Sequence, residues 1–491
     1  MSNPFDAPPT PAAAAPNHLV AGGPSGGEPD MFRAPEVPDV PVVTASDTPT
    51  RARRSPAKLV GAIAGVAAIV AAGTFAVVRI NDNSSAGGAA TPVDVGHELI
   101  EALEHEDLLA VVDLLLPGER ETFRDPLLRT LDHLKRLEVL DDSATAESSG
   151  GLDIHFSESS VVEHPTNVDD ISTIELDGTV TASVDGAQVP IGSLLLDEAF
   201  GGERPDMDVA GQPEPAGSQR FAVVQEDGRW YLSLFYSIAD AARGDAEIPA
   251  AGLQPVGADT PEGALDALLQ STAKLDLTSM LQVIDPTEAE ALLRYAPMFL
   301  DDAQQALDGL DLDLAITDTS FTASGDGDRR SLTVDALTVT LTDPDSGDTK
   351  SLTYRDGCLS GDLLDLMGGE AKPVCMSDAG DGAIDQQVSD AIEQMGIGDP
   401  ELATKLVNTI RDALADYEPS GIAVHEVDGR WYVSPLRTYY ELFDDVLAAL
   451  DAGELRAIID DAKAFVHSMD VGSMFGDDPL DYTPINGDSS D

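Results

Sequence analysis

Four positions carry side chains suited to acid–base chemistry: Asp153 and His155 on one predicted strand, His164 in the loop after it, and His425 on a late strand. An imidazole beside a carboxylate can move protons near neutral pH. His155, however, alternates with Ile154 and Phe156, so the two-residue period of a strand turns it away from their apolar face toward solvent. His425 aligns with Val224 in the internal repeat described below and has no polar counterpart there. No Ser/His/Asp, Cys/His or HExxH arrangement occurs, and no glycine-rich phosphate loop follows a strand. The sequence assigns no catalytic residue and no cofactor.

Metal chemistry has two candidates. Asp343-Pro-Asp345-Ser-Gly347-Asp348 gathers oxygens but lacks the bidentate Glu that completes an EF-hand loop, so a hairpin turn is expected. Cys358 and Cys375 are the only two cysteines. Zinc wants about four ligands, and no His or Cys cluster accompanies this pair. Outside a reducing cytosol a lone pair forms a disulfide, and a structural Cys358–Cys375 bridge with no metal site is the expectation.

The elements that position these residues come in duplicate. Thr91-Pro92 and Thr260-Pro261 each open a helix, 169 positions apart, with Thr as N-cap and Pro at the first helical position. At the same offset Leu99 matches Leu268, Ile100 matches Leu269, Leu108 matches Leu277, Val112 matches Leu281, Leu115 matches Ile284 and Pro117 matches Pro286. The apolar spacing of three and four marks one buried face. A third helical stretch follows in each copy, Arg120–Leu140 and Thr287–Leu307.

The period then falls to two. Leu152–Phe156 and Ile174–Val180 in the first copy, and Leu332–Val334 and Leu337–Leu341 in the second, alternate like half-buried strands. Each copy closes on one phrase: Asp227-Gly228-Arg229-Trp230-Tyr231 and Asp428-Gly429-Arg430-Trp431-Tyr432. Asp-Gly supplies the tight hairpin turn and the aromatic strand returns against the sheet. The chain's two tryptophans sit at matching places, where core packing is expected over a ligand groove. The offset has grown from 169 to 201, so the second copy holds 32 extra residues, the cysteine pair among them. Tyr439, Leu442, Phe443, Val446 and Leu447 then follow a buried helical stripe, and Glu454–His467 offers a last helix.

The first part of the chain reads differently. Leu59–Val78 is 20 residues without a charge, enough to span a bilayer core of roughly 30 Å as a helix. Arg51, Arg53, Arg54 and Lys58 precede it, which predicts a signal-anchor with a cytoplasmic N-terminus and everything beyond outside the cell. The rival, a cleaved signal peptide, fits poorly with more than 50 residues before the apolar run. Gly61 and Gly65 form a GxxxG pair that would let two such helices approach as a homodimer, the alternative being that they reflect composition. Residues 1–57 are Pro- and Ala-rich, with too little apolar surface to offset ordering entropy.

Charge excludes one class of partner. Acidic and basic residues balance, six to six, up to residue 80, so the full net charge of −61 falls beyond it. Such a field repels nucleic acid and favours cations and basic partners. Acidic residues also simply keep a domain soluble, and cation buffering is the sharper alternative.

Helices followed by a curved antiparallel sheet with a late "DGRWY" hairpin resemble the nuclear transport factor 2-like (NTF2-like, or cystatin-like) fold, over about residues 91–245 and 256–450. The arrangement is similar to single-span envelope proteins of high-GC Gram-positive (actinobacterial) type. The resemblance implies an α+β fold class with one transmembrane helix and two repeated domains. The boundaries are a 1–57 tail, a 58–80 membrane helix, an 81–90 linker, a 91–243 domain, a 244–259 linker, a 260–468 domain with the disulfide-containing insertion, and a 469–491 acidic tail. The fold carries no activity with it. The expectation is a non-enzymatic, membrane-anchored binding or scaffold protein of the envelope, holding a partner protein or small ligand. An extracytoplasmic hydrolase or isomerase using one pocket is the alternative.

Overall fold

A computed structural model describes residues 87–469 apart from 149, 205–207, 311, 345, 367–372, 376–397 and 416. The fold is α+β with two sheet-containing regions. The first runs α1 (Pro92–Glu104), α2 (Leu108–Asp113), α3 (Pro117–Arg136), β1 (Leu152–Pro165), β2 (Ile171–Val184), α4 (Ser193–Phe200), β3 (Glu214–Pro215), β4 (Gln219–Glu226), β5 (Arg229–Ser233) and α5 (Leu234–Arg243). The second runs α6 (Pro261–Ala273), α7 (Leu277–Gln282), α8 (Pro286–Tyr295), a 3₁₀ turn at Ala296–Met298, α9 (Leu300–Asp308), β6 (Asp313–Ser324), β7 (Arg329–Thr342), β8 (Thr349–Arg355) and β9 (Cys358–Ser360). It continues through α10 (Leu363–Leu366), β10 (Val374–Cys375), α11 (Pro400–Ala413), β11 (Ile422–Val427), β12 (Arg430–Val433), α12 (Pro435–Ala449) and α13 (Ala452–Ser468).

Helix starts are set alike in both units. Thr91 Oγ1 accepts from Asp94 N at 3.2 Å and Thr260 Oγ1 from Gly263 N at 3.0 Å. Asp107 and Asp276 cap the next helices through Ala110 N at 2.9 Å and Ser279 N at 3.0 Å. Such caps are worth about 1 kcal/mol each.

The sheets are antiparallel, in the order β1-β2-β4-β5 with β3 on β2, and β10-β9-β8-β7-β11-β12 with β6 on β7. The first strand of each unit carries a bulge, at Ser157/Ser160 and Thr317/Ser320, with Glu158 and Asp318 both at φ 52°. A bulge bends its strand and raises the local twist, so the two sheets curve at corresponding points. Into the first curve α1 sets Val95, Leu99 and Ile100 against Ile174, Leu176, Val223 and Leu232. In the second, Ala264 and Leu265 of α6 meet Leu332, Val424, Trp431 and Val433.

The two units pack on each other with an approximate two-fold relation. The α3 helix of the first packs on α12 of the second, and α8 of the second packs on α5 of the first. Phe123 meets Tyr440 with ring centroids 6.2 Å apart, and Tyr236 meets Tyr295 at 5.9 Å. Arg129 Nε bonds Asp444 Oδ2 at 3.1 Å, and Arg329 pairs with Glu121.

Several expectations change. The transmembrane helix is corrected: among the described residues no helix is long and apolar enough to cross a membrane. The longest, α3, has 20 residues but carries Glu119, Arg120, Glu121, Arg124, Asp125, Arg129, Asp132, Lys135 and Arg136. A bilayer core does not accept that charge density. The run Leu59–Val78 and its Gly61/Gly65 pair lie outside the described residues, as do the 1–57 tail and residues 470–491. The helix expected over Thr287–Leu307 is broken into α8 and α9 by the turn holding Pro297, whose ring cannot continue an α-helix. The linkers also end sooner: Ala89 and Ala258 already pair with Trp230 and Trp431. The buried stripe expected on α12 is partly exposed, with Tyr439 at 62 % and Phe443 stacked on it at 6.5 Å.

Candidate functional site

The repeated phrase ties each hairpin to the strand that enters its unit. Asp227 and Gly228 take φ 49° and 78°, and Asp428 and Gly429 take 52° and 78°, the left-handed pair of a tight turn. Trp230 and Ala89 exchange backbone bonds of 2.7 and 2.9 Å, while Trp431 and Ala258 exchange two of 2.8 Å. Arg229 Nε donates to Gly88 O at 2.9 Å, and Arg430 donates to Val256 O at 3.1 Å and Gly257 O at 3.0 Å. A Cβ on Gly88 would sit 2.5 Å from the Tyr231 ring, and one on Gly257 2.7 Å from that of Tyr432. Arginine, tryptophan and tyrosine therefore each hold the same short Gly-Ala segment.

That segment forms one wall of a groove in each unit, with α1 and α2, or α6 and α7, as the others. The first groove has a volume of about 510 Å³ and the second about 310 Å³. Ten residues of the first, from Gly87 to Leu114, recur 169 positions later as the ten of the second, from Val256 to Val283.

The chemistry of the two walls differs. Glu98, Glu101, His105 and Asp113 of the first groove are replaced by Ala267, Gln270, Lys274 and Gln282 in the second. Partial burial, reinforced by Asp94 and Glu101 and opposed by Arg229, raises the Glu98 carboxyl above the ordinary carboxylate value. In the second groove hydrogen bonds from Ser279 hold Asp276 below it, with Lys274 adding to the effect. One groove is anionic and the other close to neutral.

The acid–base candidates lie elsewhere. His155 is exposed and pairs with Glu104 at 3.1 Å, and His164 pairs with Glu175 at 2.8 Å. His425 is 8 % exposed, and its Nδ1 lies 2.8 Å from Oδ2 of Asp285, which is 1 % exposed. None of these lines either groove. Asp343 O accepts from Gly347 N at 2.8 Å in the turn between β7 and β8. Among the described residues no group of three or more His, Cys, Asp or Glu is placed to hold a metal. Cys358 and Cys375 face each other in the β9–β10 register and are joined by a disulfide.

Sequence reading missed two buried carboxylates. Glu119 receives Ser233 Oγ, Leu234 N at 2.8 Å and Phe235 N at 3.1 Å. Glu288, 169 positions on, receives Ser434 Oγ, Leu436 N at 2.9 Å and Arg437 N at 3.2 Å. Each satisfies the open amides at the start of the helix after its hairpin, where the helix dipole favours an anion. Burial raises both carboxyls, and the hydrogen bonds oppose the shift. The signal was present as Glu at both aligned positions. Compared with known proteins, the chain matches no family model, no curated protein and no solved structure.

Proposed function

We propose that the chain is a binding protein without catalytic activity, built from two NTF2-like units that each present one groove to a partner. The observation that carries this reading is the recurrence of the same ten lining positions in both units. Apolar side chains fill the space between helix and sheet in both, so a ligand meets the chain at these outer grooves. The anionic first groove suits a basic partner segment, in keeping with a net charge of −61. The Cys358–Cys375 disulfide supports an oxidising compartment outside the cytosol.

The test is fluorescence anisotropy of a labelled octalysine peptide titrated with the full chain at low and high salt. Saturable binding should weaken about tenfold or more in the Glu98→Gln/Glu101→Gln/Asp113→Asn variant, the loss of roughly 1.4 kcal/mol or more. Equal affinity in parent and variant would place any binding outside the groove and defeat the proposal.

A further inference from the structure

Leu292 is 43 % exposed on α8, although the side chains one turn before and after it, Glu288, Ala289, Tyr295 and Ala296, are all buried. Residues at those spacings share one face of a helix, so Leu292 points along the packed face of α8 and meets open space there. The first unit fills the equivalent place. Phe123, 169 positions earlier, lies 5.6 Å from the Phe235 ring and 6.2 Å from the Tyr440 ring of α12. The alignment of α5 with α12 rests on equivalent hydrogen bonds, Ser237 Oγ accepting from Ala222 N and Thr438 Oγ1 accepting from Ala423 N. Counting back 201 positions from Tyr440 gives Ala239. A methyl group thus stands where the two-fold places a phenol ring, and Leu292 loses its cover. Met298 and Phe299, 36 % and 39 % exposed, extend the gap. Their counterparts are Arg129, which pairs with Asp444 at 3.1 Å, and Thr130, which is buried. Helix α5 ends after ten residues at Gly244, φ 59°, whereas α12 runs for fifteen, so the last turn of α12 has no helical counterpart. Where His133 faces Asp444 at 3.1 Å in the first unit, the second has Asp302, exposed beside Asp301 in the first turn of α9.

We propose that this face docks a basic amphipathic helix of a partner protein, which sets an aromatic side chain over Leu292. A helix is the occupant because α12 covers the equivalent face of α3, and the open face is continuous with the junction that α5 and α12 already build. An aromatic anchor matches the missing counterpart of the Tyr440 ring, and aromatic anchors in such recesses carry much of an interface's energy. The basic character follows from Asp301 and Asp302, the reverse of the Arg129 and His133 that α12 meets with Asp444. A net charge of −61 argues against a second copy as occupant, since two such chains repel. The face shares no lining residue with either groove.

The probe is a fluorescein-labelled peptide of the Pro435–Ala449 sequence carrying Asp444→Lys and Asp445→Lys, titrated with the full chain by anisotropy. Saturable binding is expected. Ala239→Tyr, which restores the ring over Leu292, should weaken it about tenfold or more, and so should Leu292→Asn, which keeps a side chain of similar size without the apolar surface. Asp301→Asn/Asp302→Asn should weaken it severalfold at low salt and have little effect at high salt. Ala239→Tyr should leave octalysine binding unchanged, which separates this face from the first groove. Unchanged peptide affinity in both Ala239→Tyr and Leu292→Asn, or no saturable binding by the parent, would overturn the proposal. So would sedimentation of the full chain as a dimer that Ala239→Tyr converts to a monomer, an outcome that assigns the face to a second copy.

Discussion

Gly118 and Thr287 occupy the same position of the two repeats, 169 residues apart, and they touch: a Cβ on Gly118 would lie 2.9 Å from the Thr287 carbonyl oxygen. Equivalent positions meet one another only on the symmetry axis of an isologous contact. The rest of the junction obeys the same rule, since α3 on α12 and α8 on α5 are exchanged by swapping the units. The chain is thus arranged as a two-fold dimer made within one polypeptide.

The axis predicts a steric test. Gly118→Val places a branched side chain against backbone that cannot rotate away, and overpacking of this kind costs about 1–3 kcal/mol. Gly309→Ala, whose Cβ would meet nothing closer than 3.4 Å, should be close to neutral. Urea unfolding of the two variants checks both expectations, and equal midpoints would remove Gly118 from the junction's packing.

The buried caps predict a pH dependence with a definite sign. Burial raises the Glu119 and Glu288 carboxyls above 4.5, so in this window the folded state holds protons more tightly than the unfolded state. Their contribution is greatest below the ordinary carboxylate value and falls as pH rises through the folded one. Glu119→Gln should therefore flatten the decline in stability above about pH 4.5. Glu119→Ala, which strands three donors, should cost about 1–3 kcal/mol. Chemical unfolding across pH 4 to 8 on the two variants separates these effects.

Much of this architecture was legible in the sequence because repeats write their contacts twice. The offset that aligns Leu99 with Leu268 also aligns the walls of the two grooves, and the matched tryptophans mark the strands that close them. What stayed illegible depends on partners distant in sequence. Nothing near Glu119 indicates that it will cap a helix more than 110 residues away. His425 reads as a lone substitution of Val224 until Asp285 and Arg329 are brought beside it. The grooves were overlooked because Glu98, Glu101 and His105 look like the solvated side of an amphipathic helix, which they also are.

The disulfide predicts a local effect. Cys358 and Cys375 close a loop of 17 residues, for which loss of cross-linking is expected to cost about 3 kcal/mol. Paired Cys358→Ser/Cys375→Ser substitution should lower the unfolding midpoint of the second unit. The groove formed by Gly257 and Lys274 lies on other elements, and its ligand affinity should not change. A loss of groove binding in this variant would show that β9 and β10 support the groove wall after all.

The walls of the two grooves predict an exchange of specificity. Both are built on the same backbone positions, so the difference between them resides in side chains that can be transplanted. Ala267→Glu/Gln270→Glu/Lys274→His gives the second groove two of the carboxylates and the imidazole of the first, and it should gain affinity for a basic peptide. Exposed charges contribute about 0.2–1 kcal/mol each, so two added carboxylates and one lost cation should amount to a several-fold gain that salt abolishes. Glu98→Ala/Glu101→Gln/His105→Lys should produce the opposite change in the first groove. Anisotropy with octalysine measures both, and the reciprocal pair matters because total charge changes by the same amount wherever it is placed. If affinity followed net charge alone, the same change of charge made at the far end of α13 would do as much as making it in the groove. A larger effect at the groove positions would tie recognition to the concave wall, where the peptide meets several charges at once.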